Sequence, residues 1–129
     1  MVINLRSRKL LRLFNKVLER IPSQADKALL SKRIMLVVDS ADFIPFGQKP
    51  NWGAVISIRF KKSLAIVYLS PRKLPSQPDS FMCYTISKLL AHAVLGHIEK
   101  IDDEEKQHEF EKEADARVAA WSIPIVDKR

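Results

Sequence analysis

From Phe81 to about Ile101 the chain reads as one helix that is apolar on most sides. Ile86, Leu89, Leu90, Ala93, Val94, Leu95 and Ile98 are spread around it rather than gathered into a stripe. Such a helix is stable in water only when other elements surround it, so whatever the chain folds into must be built around this segment. With 129 residues, 47% of them hydrophobic, the chain has material for one core, and residues 1–129 are expected to form a single domain. No apolar run approaches the roughly 18 residues of a spanning helix, which removes a membrane from the expected partners.

The surrounding elements follow from periodicity. Leu10, Phe14, Val17 and Ile21 recur at three- and four-residue spacing and predict a helix over 1–21, with Arg6, Arg8, Lys9, Arg12, Lys16 and Arg20 on its other side. Pro22 ends it, and a short second helix is expected from Ser23 to Lys32. The run Ile34–Val38 is continuous and apolar, the pattern of a short strand, closed by Asp39 and Ser40. Ile56, Ile58 and Phe60, then Leu64, Ile66 and Tyr68, alternate on either side of Lys61-Lys62-Ser63 and predict a β-hairpin. After the prolines at 71, 75 and 78 comes the apolar helix, then an acidic linker over 102–105. A last helix is expected from about His108 to Trp121, with Phe110, Ala114, Val118 and Trp121 as its stripe. The class is therefore α+β, with a small three-stranded sheet packed by an N-terminal helix and two C-terminal helices.

Charge and cysteine content narrow the setting. The net charge is +7, and residues 1–33 carry nine basic against two acidic side chains, whereas 99–129 carry six against ten. A basic first helix makes a nucleic-acid contact a reading to weigh, although a solvated helix face gives the same count. Trp52 and Tyr68, with Lys61, Lys62, Arg72 and Lys73 near in sequence, could supply aromatic interleaving to such a surface; a core tyrosine and a basic hairpin tip are the plainer reading. The single cysteine, Cys83, excludes an internal disulfide and suits a reducing, cytoplasmic setting. Its apolar neighbours suggest a buried, inert thiol.

Two segments carry chemistry: Leu89-Leu90-Ala91-His92-Ala93-Val94-Leu95-Gly96-His97, and Phe110-Glu111-Lys112-Glu113-Ala114-Asp115. With the preceding hairpin they resemble the small zincin-type metallopeptidases of the minigluzincin and ImmA/IrrE-like kind, over roughly residues 34 to 124. In that family one buried helix carries H-E-x-x-H and the next supplies a glutamate ligand. Histidines at i and i+4 share a helix face and bind zinc, and the glutamate beside the first takes a proton from the bound water.

Aligned on Leu95-Gly96-His97, the resemblance puts Ala93 at the first histidine and Val94 at the general base, so both functions are missing. His97 then stands at the second histidine, Glu111 at the third ligand and Asp115 at the carboxylate that orients a ligand, beside Ala93. Glu113 replaces Glu111 if the register differs. His92 could stand in for the lost ligand only across a π-bulge, because it lies five residues from His97, about 140° around an α-helix. His108 is unconstrained by spacing. Two ligands do not close a zinc site, so no metal or other cofactor is expected. The resemblance implies a catalytically inactive binding or regulatory module for a protein or peptide segment. The alternatives are a metallopeptidase with displaced zinc ligands and a nucleic-acid-binding module.

Overall fold

A computed structural model describes residues 2–21, 34–40, 52–58, 64–95 and 104–126. In chain order the elements are β1 (Val2–Asn4), α1 (Arg8–Arg20), β2 (Ile34–Val38), β3 (Gly53–Ile58), β4 (Leu64–Leu69), a 3₁₀ turn (Leu74–Ser76), α2 (Asp79–Leu95) and α3 (Glu104–Ala120). The α+β class holds, with four described strands in one mixed sheet of order β1-β2-β4-β3. β1 runs parallel to β2 and β2 parallel to β4, while β3 is antiparallel to β4 with Ile56 opposite Ile66. Among the described residues β4 is the one strand partner of β3, which puts β3 at the edge.

The expected helix over 1–21 is replaced by β1, a turn and the shorter α1, and the expected three-stranded sheet gains a strand. The reason lies in polar groups outside the helical stripe. Asp39, at the end of β2 and only 5% exposed, accepts hydrogen bonds from the amides of Arg6 and Ser7. Ser7 in turn caps α1, its hydroxyl accepting from the Leu10 amide at 3.3 Å. These contacts fix the chain as it leaves β1 and start the helix at Arg8. The expected stripe survives within that helix: Leu10, Phe14 and Val17, with Ile21 beyond its end, are buried, and Leu13 joins them.

α2 is the central helix that its composition demands. It packs against α1, α3, β3 and β4, and Phe81, Met82, Ile86, Leu90, Ala91 and Ala93 lie within the main core. Val37, Val67 and Leu69 meet that core from the sheet, while Val38, Ile66 and Tyr68 form a second cluster on the opposite sheet face. Burial of Tyr68 removes it from any nucleic-acid surface, and Trp52 packs edge-on against Phe81 with ring centroids 5.0 Å apart. Cys83 is half-buried rather than buried, and its desolvation raises the thiol pKa, consistent with an inert thiol.

α3 begins at Glu104 inside the expected acidic linker. Its end is a Schellman turn: Ile123 donates to Val118 at 3.3 Å and Ser122 to Ala119 at 2.9 Å, with Ser122 at φ 60°. Ile123 buries its side chain there and Pro124 prevents continuation. The helix expected over 23–32, the hairpin turn at 61–63 and the continuation of α2 toward Ile101 lie outside the described residues. Among the described residues, no helix is long and apolar enough to cross a membrane.

Candidate functional site

The apolar circumference of α2 is interrupted along one line. Tyr84, Lys88 and His92 follow one another at four-residue spacing, which stacks them on a single helix face. Opposite them, Glu111 and Asp115 occupy the same spacing on α3. The Tyr84 hydroxyl donates to Asp115 Oδ1 at 2.7 Å. Lys88 Nζ pairs directly with Glu111, donates to the Tyr84 oxygen at 3.2 Å, and lies 3.6 Å from Asp115 Oδ1. It also stands 5.5 Å from the centre of the Tyr84 ring. His92 Nε2 lies 3.5 Å from Glu111 Oε1.

The electrostatics follow from this packing. Contact with His92, and then with Lys88, outweighs partial burial and holds the Glu111 carboxyl at about 2, down from 4.5. Burial alone would lower the Lys88 pKa, but bonds to Glu111 and Tyr84 prevail and push it from 10.5 up to about 12. Burial and the bond to Asp115 raise the Tyr84 phenol. Around neutral pH the face thus holds the Lys88 ammonium beside the Glu111 carboxylate and a protonated Tyr84 phenol.

A pH dependence with a definite sign follows. A lowered carboxyl pKa stabilises the fold fully above the unfolded value of 4.5, and that contribution is lost as pH falls toward about 2. The raised Lys88 value acts oppositely, contributing below 10.5 and losing effect as pH rises toward about 12. Thermal melts should therefore show an acid limb in that lower window, shallower in Glu111→Gln. An equally steep limb in that variant would assign acid sensitivity to other carboxylates.

This polar line forms one wall of a cavity of about 340 Å³, whose other walls include Trp52, Gly53, Phe81 and Val126. β3 rims it. A Cβ on Gly53 would lie 2.4 Å from the Tyr68 carbonyl oxygen and 2.9 Å from Leu89 Cδ1, so the close approach of β3 to β4 and α2 needs glycine there.

The residues singled out in the sequence are distributed unevenly around this site. Glu111 and Asp115 face α2 together. Asp115 meets Tyr84 and Lys88, however, not the expected neighbour Ala93, which is fully buried in the core with Val94 close to it in burial. His92 faces Glu111 directly, and its relation to His97 lies outside the described residues. Glu113 and His108 are exposed, and His97 lies outside the described residues. Lys88 and Tyr84 were not among the sequence candidates, although their spacing to His92 was readable. Among the described residues, no group of three His, Cys, Asp or Glu side chains is placed to hold a metal ion.

Comparison with protein-family models, curated proteins and solved structures finds no match.

Proposed function

We propose that the chain is a catalytically inactive zincin-like module that binds an extended peptide or protein segment along the β3 rim of the α2–α3 cavity. One observation carries the reading: a residue pair at i and i+4 on the buried helix faces Glu111 and Asp115, at i and i+4 on the next, beneath an edge strand. In this register the family positions fall five residues earlier than the Gly-His alignment put them. Lys88 stands at the first histidine, Leu89 at the general base and His92 at the second histidine; Glu111 and Asp115 keep their assignments.

The donors do not fit zinc. A charged ammonium has no lone pair for a metal, and a leucine side chain cannot take a proton from water. His92 and Glu111 remain as two donors where a catalytic site uses three. The reaction is absent in this reading, while the groove and its rim are retained.

The rim has the chemistry for strand addition. Ser70 donates to the Trp52 carbonyl at 2.8 Å, and antiparallel pairing alternates, so Ala54 and Ile56 bond toward β4 while Gly53, Val55 and Ser57 direct their backbone groups outward. An incoming strand would pair with those three residues and set alternate side chains into the cavity.

The test uses the full chain and a library of extended seven-residue peptides. The expected outcome has three parts: no stoichiometric zinc, no cleavage, and selected binders that shift and protect the amide resonances of Gly53, Val55 and Ser57. One equivalent of zinc lost on His92→Ala, with cleavage, would replace this reading by a metallopeptidase with displaced ligands. Peptides that leave those amides unmoved would overturn the groove assignment.

A further inference from the structure

The Lys88 ammonium is surrounded as a bound cation would be. Glu111 and Asp115 present carboxylates to it, the Tyr84 hydroxyl oxygen accepts from it, and the Tyr84 ring lies nearby. Its side chain is 23% exposed, and it sits where two helices bring opposing groups together from four-residue spacings. We infer that Lys88 is a tethered cation occupying a metal-type position, and that the α2–α3 face is one donor short of a transition-metal site.

Glu111 and Asp115, one turn apart on one face of α3, would repel each other without a positive charge between them, and a divalent ion or an ammonium can both supply it. A divalent ion exchanges with solvent and chelators, whereas the lysine is part of the chain and keeps the helices joined whatever the metal supply. His92 already addresses Glu111 from the same side. A histidine at position 88 would share its helix face at i, i+4 spacing, so imidazole, imidazole and carboxylate would converge from α2 and α3. Asp115, now beside Lys88 and held by Tyr84, would be placed to orient the new imidazole. This inference rests on the zincin-like reading in treating the face as an altered metal site.

The experiment is the single substitution Lys88→His in the full chain, titrated with cobalt(II) and zinc. The expected result is one equivalent of metal bound on the order of 100-fold or more tighter than by the unaltered chain, with the intense visible absorption of four-coordinate cobalt. That binding should disappear when His92→Ala or Glu111→Gln is added, and Lys88→Met should show none. The melting temperature of the unaltered chain should ignore chelators, while that of Lys88→His should rise with zinc. If Lys88→His is unfolded without metal, zinc is expected to restore the fold, because closing the site contributes folding free energy.

A folded Lys88→His that binds cobalt no tighter than the unaltered chain would overturn the inference, as would an unfolded variant that zinc does not restore. Either failure, with peptide binding at Gly53, Val55 and Ser57 intact and no zinc in the unaltered chain, would leave the groove reading standing. Zinc carried by the unaltered chain through His92 would instead remove both.

Discussion

Replacing Phe14 by alanine is expected to destabilise the chain by about 3–5 kcal/mol, the range for deleting a fully buried aromatic ring from a packed core. Phe14 is 0% exposed and lies with Leu10, Leu13 and Val17 in the core that α1 shares with α2. The surface of the same helix should behave differently: Arg12, whose side chain is 63% exposed and 3.7 Å from Asp79, is half of a surface ion pair. Arg12→Glu should change stability by no more than about 0.5 kcal/mol beyond the loss of that weak contact. Urea denaturation of both variants separates the readings of the basic helix. A Phe14→Ala cost below about 1 kcal/mol would mean that α1 does not anchor the core, and its charge would then be its main property.

The elements that sequence periodicity reached are those whose signal is long and redundant. α1 and α3 repeat their apolar positions over several turns, α2 is apolar on most sides over its length, and the pairing of β3 with β4 follows two alternating runs. β1 was not legible because three residues carry no period, and because Val2 and Ile3 merge into the apolar positions that follow. What holds β1 is non-local: it pairs in parallel with β2, and Asp39, 33 positions from Arg6, takes the amide of that residue just beyond the strand. Local propensity has no access to such a bond. Ser122 at φ 60° was invisible for a similar reason, since the turn is imposed by the burial of Ile123.

The site was legible in part. The family resemblance, aligned on Gly96 and His97, points to Ala93 and His97 and passes over Tyr84 and Lys88. Helix geometry offered a second criterion. Tyr84, Lys88 and His92 are a line of polar residues every four positions on a helix otherwise apolar all round, and a buried polar line needs partners. Glu111 and Asp115 are one of two acidic pairs at that spacing beside the apolar line Phe110, Ala114 and Val118, the other being Glu109 and Glu113 on its opposite flank. Matching spacing to spacing leads to Lys88 and His92 without any motif.

Asp39 matters more than a single carboxylate suggests: Asp39→Ala is expected to cost about 2–4 kcal/mol, because it would strand two partly buried backbone donors, each in the lower part of the roughly 1–3 kcal/mol range for desolvation. The carboxylate receives the Arg6 amide at 3.1 and 3.0 Å and the Ser7 amide at 2.9 Å, and it lies next to the N-terminus of α1, where negative charge is favourable. Its loss would act in sequence: the turn after β1 loosens, Ser7 loses its fixed position, and the cap on Leu10 weakens with it. Asp39→Asn keeps an acceptor oxygen without the charge and should lie between alanine and the unaltered chain. Amide hydrogen exchange adds a local readout, since Arg6, Ser7 and Leu10 should lose protection in Asp39→Ala before the core amides of α2 do. A cost under about 0.5 kcal/mol, with those three amides still protected, would show that parallel pairing with β2 holds β1 by itself and that Asp39 merely accompanies it.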